Sequence, residues 1–149
     1  MNIYQVTDLV QLKELLPLAY SYYSEGVLPY GFNENHWLNE WSEMLSFGAG
    51  KMWAAKHPSG APCGAIGGLM SYHSASGDLT FGEHFFYCPE GSNGAGLWLY
   101  KRAENDLQDL GVKRIYLNSR LNFKPERVGK FYSYMGFQPN EIQWVKEIN

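Results

Sequence analysis

The sequence predicts an α/β (α+β) fold with a mixed, mostly antiparallel central sheet flanked by helices. Apolar residues recur at helical spacing in separate stretches, and short apolar runs between glycine-rich turns alternate with these stretches. A strand, a glycine-rich turn, a helix and another strand follow one another between residues 81 and 118. Such a succession is a βαβ unit, whose two strands are parallel neighbours. With 149 residues, the chain is expected to form one domain over 1–149.

The first fifty residues predict a strand followed by helices. Residues 2–6 alternate weakly and are predicted as an opening strand, and Thr7 is predicted as the N-cap of the next helix. Leucines and tyrosines at helical spacing extend this helix to about Ser24, and Pro17 is expected to bend or break it. Asn33 is predicted to cap a second helix, which closely spaced glycines end.

The rest of the chain predicts a meander, the βαβ unit and a last helix. Runs 51–56 and 63–72 and a run from Leu79 are separated by turns rich in Gly, Ser and Pro, which is typical of antiparallel strands. Gly111 is expected to end the helix of the βαβ unit, and Pro125 to begin the last helix. Further strands are predicted at 112–118 and, as a final strand or hairpin half, at 137–148.

Composition and charge argue against several classes of function. The net charge of −3 and the pI of about 5.8 disfavour non-specific binding to nucleic acid, which needs a basic surface. No apolar run is long enough to span a membrane, and two cysteines without metal-ligand spacing favour reduced thiols in a cytoplasmic protein. No pair of histidines has metal-ligand spacing either, so no metal site is predicted.

Three glycines, Gly91, Gly94 and Gly96, lie where the strand of the βαβ unit gives way to its helix. Glycine lets the backbone turn sharply and lets a ligand approach the main-chain amides. A helix start carries partial positive charge and N–H groups without an intrahelical acceptor, so the junction suits a pyrophosphate. The alternative interpretation is a plain strand-to-helix connection.

The order of elements and two motifs resemble the GNAT superfamily of acyl-CoA-dependent N-acyltransferases. In the first motif, Gly94-Ala95-Gly96 matches the end of the family's turn, while Gly91 stands where the family has Arg or Gln. In the second motif, Tyr132 and Gly136-Phe137 match the family's signature of Tyr, three residues and Gly-Phe. The resemblance covers roughly residues 83–137. The chain is also similar to short GNAT-like proteins of tailed bacteriophages.

The resemblance implies transfer of an acyl group, most often acetyl, to a primary amine, with acetyl-CoA as the donor and no metal. The turn would hold the pyrophosphate through main-chain amides, and the end of the preceding strand would pair with the pantetheine amides as an added strand would. The implied cofactor-binding residues are Phe86, Tyr87, Cys88, Gly91, Ser92, Asn93, Gly94, Ala95 and Gly96.

The resemblance also implies two catalytic residues. Tyr132 is the candidate general acid for the departing thiolate, and the alternative is an ordinary aromatic residue on the inner face of its helix. Glu83 is the candidate general base, directly or through water, because apolar neighbours would raise the pKa of its carboxyl. The alternative is a carboxylate that faces solvent. His84, on the opposite face, is the other candidate base, and an acyl-cysteine route through Cys88 is the least favoured one.

The acceptor is expected to be a small-molecule or protein amine, and nucleic acid is expected only as a base that carries an aminoalkyl group. A homodimer is common in the family. The competing interpretation is a non-catalytic GNAT-fold module that binds CoA or another protein, and the missing Arg or Gln favours it. Aromatic residues that could line the acceptor pocket, or simply pack in the core, are Tyr22, Tyr23, Tyr30, Trp37 and Trp41.

Overall fold

The computed structural model of the chain describes residues 1–25 and 31–148, which divide into two units, Met1–Asn118 and Ser119–Asn149. The first unit contains a five-stranded sheet and four helices, and the second contains one helix. Within the described residues, no helix is both long enough and apolar enough to cross a membrane.

The first unit opens with strand β1 (Asn2–Gln5) and the helices α1 (Leu9–Glu14), α2 (Leu16–Glu25) and α3 (Glu34–Ser46). The prediction of Thr7 as the first N-cap is wrong by one residue. Asp8 is the cap, because its carboxylate accepts the N–H of Gln11 at 2.8 Å while the Gln11 side chain accepts the N–H of Thr7.

Two other predictions about these helices are confirmed. The first helical stretch is broken, with α1 ending at Glu14 and α2 beginning at Leu16, so that Pro17 occupies the first turn of α2. In that turn proline costs no helical hydrogen bond. Asn33 caps α3, and its side chain accepts the N–H of His36 at 2.9 Å.

The sheet has the strand order β1-β2-β3-β4-β5. Its further strands are β2 (Gly50–Lys56), β3 (Pro62–Tyr72), β4 (Leu79–Tyr87) and β5 (Arg114–Tyr116). The first four strands pair in antiparallel fashion, and β5 pairs with β4 in parallel. Helix α4 (Ala95–Asp109) connects β4 to β5, so both the predicted meander and the predicted βαβ unit are confirmed.

Two strand predictions in the C-terminal half differ from the structure. β5 is shorter than the predicted run 112–118, because its pairing with β4 covers only 114–116. The strand or hairpin predicted at 137–148 is wrong: these residues follow α5 (Pro125–Tyr134) and form no regular element. Apolar residues of high β-propensity do not make a strand without a neighbouring strand, and Pro139 has no N–H to contribute.

Strand β4 has one residue more than the segment of β3 beside it. Gly67 of β3 lies opposite Phe85, and the next residue, Gly68, lies opposite Glu83. His84 is therefore the extra residue of a β-bulge. A bulge bends the strand and interrupts the alternation of its side chains between the two faces of the sheet.

The bulge moves the buried side chains of β4 from one face of the sheet to the other. In an unbroken strand Phe81 and Phe85 would share a face, because side chains alternate. Instead Phe81 contacts Trp53, whose indole N–H donates to Asp106 of α4, while Phe85 contacts Trp37 of α3. The first half of β4 is thus packed towards α4, and the second half towards α2 and α3.

Candidate functional site

The strand-to-helix turn between β4 and α4 is built from residues with left-handed backbone. Gly91 has φ 84°, Asn93 has φ 48° and Gly94 has φ 79°. Asn is the non-glycine residue that tolerates this region well. Gly94 is the N-cap of α4, and no side chain caps the helix there. The start of α4 is therefore bounded by main chain alone.

Part of the main chain in this turn is used internally. The N–H of Ser92 donates to the carbonyl of Pro89 at 3.2 Å, and the N–H of Ala95 donates to the carbonyl of Ser92 at 3.0 Å. The N–H of Leu97 donates to the carbonyl of Gly94 at 3.1 Å, and the hydroxyl of Ser92 also donates to Pro89. These bonds hold the turn in one shape without a ligand.

Other amides of the same turn have no acceptor in the protein. Within residues 1–25 and 31–148, the N–H groups of Asn93, Gly94 and Gly96 donate to no carbonyl and no side chain. A Cβ placed on Gly91 or Gly94 would meet nothing within 4 Å, so the space over the turn is open. Several adjacent N–H donors at the positive end of a helix fit a phosphate or pyrophosphate group.

Strands β4 and β5 separate shortly before this turn. Their pairing covers 80–82 of β4 and 114–116 of β5, whereas β3 accompanies β4 as far as Tyr87. Segment 83–87 of β4 thus leads from the last β5 partner to the turn. Of the residues predicted to lie along the pantetheine, Phe86 is half-buried, and the Tyr87 ring is buried 5.8 Å from the ring of Tyr22.

Cys88, the third of these residues, has the character of a packing residue. Burial raises the pKa of its thiol to about 12, and the nearby Cys63 adds to the shift. Its sulfur lies against Gly64, where an added Cβ would come within 2.5 Å of it. A thiol with that pKa is almost wholly protonated near neutral pH, and the protonated form is a poor nucleophile. The acyl-cysteine route therefore has no support in the structure.

Glu83 lies at the point where β4 and β5 separate, and it is only 6% exposed. The expectation of a buried carboxyl group is met, and the alternative of a solvent-facing carboxylate is wrong. One carboxylate oxygen accepts the main-chain N–H of Asn118 at 2.9 Å, and the side-chain amide of Asn118 donates to the carbonyl of Glu83 at 2.8 Å. His84, the alternative base, is the exposed bulge residue.

Asn118 is a residue that the sequence-based prediction missed. The sequence marks it only as the last residue of a predicted strand, and Glu83 lies 35 positions earlier in the chain. No local pattern connects the two. The one available signal is the predicted βαβ unit, which makes the strand ending at Asn118 a parallel neighbour of the strand that carries Glu83.

The aromatic residues of α2 and α3 form a cluster against the second half of β4. Tyr22, Trp37 and Trp41 are buried in it, as expected for core packing. The Tyr23 ring is half-buried and stacks on Phe32, with the ring centroids 5.1 Å apart. Tyr30, the remaining candidate for an acceptor pocket, and most of the loop around it lie outside the described residues.

Tyr132 belongs to the second unit, on α5. It is half-buried, its ring lies 5.8 Å from that of Phe137, and its carbonyl accepts the N–H of Phe137 at 3.0 Å. The placement of Tyr132 and Glu83 in one site stays a prediction. In the part of the chain that the structure covers, no group of three or more His, Cys, Asp or Glu side chains could hold a metal ion.

Comparison with known proteins identifies the fold. No family model and no curated protein matches the sequence. Solved structures of acetyltransferases do match it over nearly its whole length. The chain has the fold of the GNAT acetyltransferases, as its motifs predicted, with a mostly antiparallel sheet flanked by helices.

Three of these structures illustrate the similarity. Ribosomal-protein-alanine N-acetyltransferase from Brucella melitensis biovar Abortus 2308 is 16% identical with a TM-score of 0.74, covering 99% of this chain and 100% of that one. AAC(6')-Iy in complex with the bisubstrate analogue CoA-S-monomethyl-acetylneamine is 12% identical with a TM-score of 0.78, covering 99% and 97%. A predicted acetyltransferase with acetyl-CoA from Clostridium acetobutylicum is 17% identical with a TM-score of 0.73, covering 99% and 95%.

Proposed function

We propose that the protein transfers an acyl group, acetyl in the first instance, from acyl-CoA to a primary amine. The observation that supports this most is the turn between β4 and α4, where the N–H groups of Asn93, Gly94 and Gly96 have no acceptor in the protein. The turn directly follows segment 83–87 of β4, which is no longer paired with β5. The two features together offer a site for a pyrophosphate and, before it, a strand for an extended chain.

The residues present fit the donor. The amides of the turn would bind the pyrophosphate, and segment 86–88 of β4 would hydrogen-bond the pantetheine as an added strand does. Gly91, where the family has Arg or Gln, contributes no charge, so binding would rely on main-chain donors and the dipole of α4. The donor supplies a thioester, whose carbonyl carbon is the electrophile.

Two residues of the chain would move protons. In direct attack the C–N bond to the acyl carbon forms, the C–S bond breaks, and the amine nitrogen loses a proton. Glu83 would accept that proton, directly or through a water molecule, and the phenol of Tyr132 would donate one to the departing sulfur. General acid–base assistance of this kind contributes about 10² to 10⁴ in rate.

The N-terminal half of the chain, which contributes α2 and α3, would bind the acceptor. Residues 1–50 hold six acidic and one basic residue, which favours a small cationic amine as the acceptor. A protein amine is the other candidate, because the similar structures include both a ribosomal-protein-alanine N-acetyltransferase and a complex with an acetylneamine analogue. In either case, residues 1–149 would work as one domain.

Donor binding is tested by thermal unfolding with acetyl-CoA, CoA and no ligand. Ligand at a hundredfold excess over its Kd stabilises the folded state by about 2.7 kcal/mol, which corresponds to a rise of about 5 to 10 °C in Tm. Gly94→Asp would place an anion in the turn and is expected to abolish the rise. Gly77→Asp is the matched control, because Gly77 also has positive φ (72°) and open space around it, in the turn between β3 and β4.

Acyl transfer is then tested with acetyl-CoA and a panel of small amines and amine-bearing peptides, by release of free thiol. Tyr132→Phe and Glu83→Gln are expected to lower kcat/KM at least a hundredfold. A protein that binds acetyl-CoA but acylates no amine would be a non-catalytic CoA-binding module. If neither CoA nor acetyl-CoA changes the Tm, the proposal is wrong.

A further inference from the structure

We infer that Asn118 is a positioning residue for the proposed acyl transfer, and that it acts by fixing both the main chain and the carboxylate of Glu83. This inference rests on the proposed function, in which Glu83 is the base. Asn118 follows β5, where that strand separates from β4, and it would take no part in the proton transfers itself.

The geometry at the end of the β4–β5 ladder carries the inference. The last parallel pair is Gly82 with Tyr116. At the next step, the carboxylate of Glu83 accepts the main-chain N–H of Asn118 at 2.9 Å, and the carbonyl of Glu83 accepts the side-chain amide of Asn118 at 2.8 Å. Each side chain thus bonds the main chain of the other residue, where a continued ladder would join the two main chains directly.

This exchange of partners constrains Glu83 at both ends. The amide of Asn118 fixes the backbone of Glu83 beside the bulge at His84, where the pairing with β3 is irregular. The N–H of Asn118 fixes the carboxylate itself, so one rotamer is favoured. A base that is held in one orientation is aligned with its substrate more of the time, so the reaction is faster. A displacement of about 1 Å at a reacting group can lower the rate about a hundredfold.

Asparagine suits this position because of its donor and its length. Its side chain presents an N–H donor one methylene from the backbone, which alanine lacks, and aspartate would present an acceptor towards the carbonyl of Glu83. Glu83 is buried, at 6% exposure, whereas Asn118 is an exposed residue at the end of the ladder. A hydrogen bond to the buried Glu83 is electrostatically stronger than one in water.

A double-mutant cycle on the acylation of the best amine in the panel tests the inference. Asn118→Ala removes the side-chain bond but keeps the main-chain N–H that binds the carboxylate. It is expected to lower kcat about tenfold and to leave the KM for acetyl-CoA within about twofold of the wild-type value. Asn105→Ala is the matched control, because Asn105 is an exposed asparagine on α4, and it should leave kcat unchanged.

The cycle separates a positioning role from a structural one. In a Glu83→Gln background, which keeps an oxygen acceptor for Asn118, adding Asn118→Ala should change kcat less than twofold, because there is no base left to position. An equal loss in both backgrounds, or no loss in the wild-type background, would overturn the role of Asn118 while leaving the acyltransferase intact. A wild-type chain that acylates no amine would contradict the proposed function and, with it, this assignment.

A spectroscopic measurement gives a readout apart from catalysis. The amide proton of Asn118 donates to a carboxylate, and charge-assisted hydrogen bonds are shorter and stronger than neutral ones. Its NMR resonance should therefore move upfield in Glu83→Gln and stay in place in Asn105→Ala. An amide resonance of Asn118 that is insensitive to residue 83 would show that the bond to the carboxylate is absent, and it would overturn the inference.

Discussion

Single residues are most constrained where the sheet leaves no room for a side chain. A Cβ added to Gly68 of β3 would come within 2.1 Å of the carbonyl oxygen of Gly82 and 2.8 Å of the Phe81 ring. The first of these contacts is with main chain, which cannot rotate away. Gly82 itself faces open space, since a Cβ there would meet nothing within 4 Å.

Gly68→Ala is accordingly expected to lower the free energy of unfolding by about 3 kcal/mol, the upper part of the range for overpacking a core. Gly82→Ala should be neutral or stabilise by up to about 1 kcal/mol, because alanine has fewer unfolded conformations and no contact is violated. Urea unfolding of the two variants measures both values. Similar losses of unfolding free energy in the two variants would contradict the steric conflict assigned to a Cβ at residue 68.

The two thiols should differ in reactivity. With a pKa of about 12, about one Cys88 side chain in ten thousand is ionised at pH 8, and burial also raises the pKa of Cys63, by a smaller shift. In Cys63→Ala, which leaves Cys88, labelling by a thiol reagent should be much slower than in Cys88→Ala. The rate for Cys88 should rise about tenfold per pH unit below pH 12. Equal labelling of both variants in urea is the control, and fast labelling of native Cys88 at pH 8 would reopen the acyl-cysteine route.

At the scale of elements, the starts of the helices depend on short side chains. Asn33 accepts the N–H of His36 and so satisfies one of the donors that the first turn of α3 leaves open. Asn33→Ala should lower the free energy of unfolding by about 1 kcal/mol. Asn39→Ala, on the exposed middle of the same helix, should have no destabilising effect, because alanine has the higher helix propensity. Chemical denaturation followed by circular dichroism compares them, and a larger loss at residue 39 would contradict the assigned cap.

Elements of this kind were predictable because their signals are local. The cap at Asn33, the break at Pro17 and the glycine turn before α4 are each specified within a few residues. The burial of Glu83 was harder to predict, because it depends on an extra residue in β4 and on Asn118 in a distant strand. The error at 137–148 has the same cause, since a strand requires a partner that no local pattern supplies.

At the scale of the whole molecule, the five tryptophans divide by exposure. Trp37, Trp41 and Trp53 are buried, whereas Trp98 on α4 is 53% exposed and Trp144 is 89% exposed. Trp144 lies among other exposed apolar residues near the C-terminus, including Val145. Monomeric proteins rarely expose large contiguous apolar patches. The solvent exposure of Trp144 in solution therefore tests whether a second copy of the chain covers this segment.

Acrylamide quenching of tryptophan fluorescence measures that distribution. In a monomer, the readily quenched fraction should come from the two exposed residues, and Trp98→Phe/Trp144→Phe should leave only a blue-shifted, poorly quenched emission. Trp53→Phe is unsuitable as a control because its indole donates to Asp106, so Trp98→Phe alone serves to separate the two contributions. A fraction from Trp144 that falls as protein concentration rises would instead indicate association through this segment.

The bulge at His84 constrains the length of β4 more than its chemistry. The imidazole of His84 is exposed to solvent, so its chemistry matters little to the packing, but deletion of His84 would exchange the two faces of the residues of β4 that follow it. Phe85 would then lose its contact with Trp37, and the glycine turn would begin one residue earlier in the register of the strand. Substitution of His84 should therefore cost little, whereas its deletion should disrupt the packing of the second half of β4.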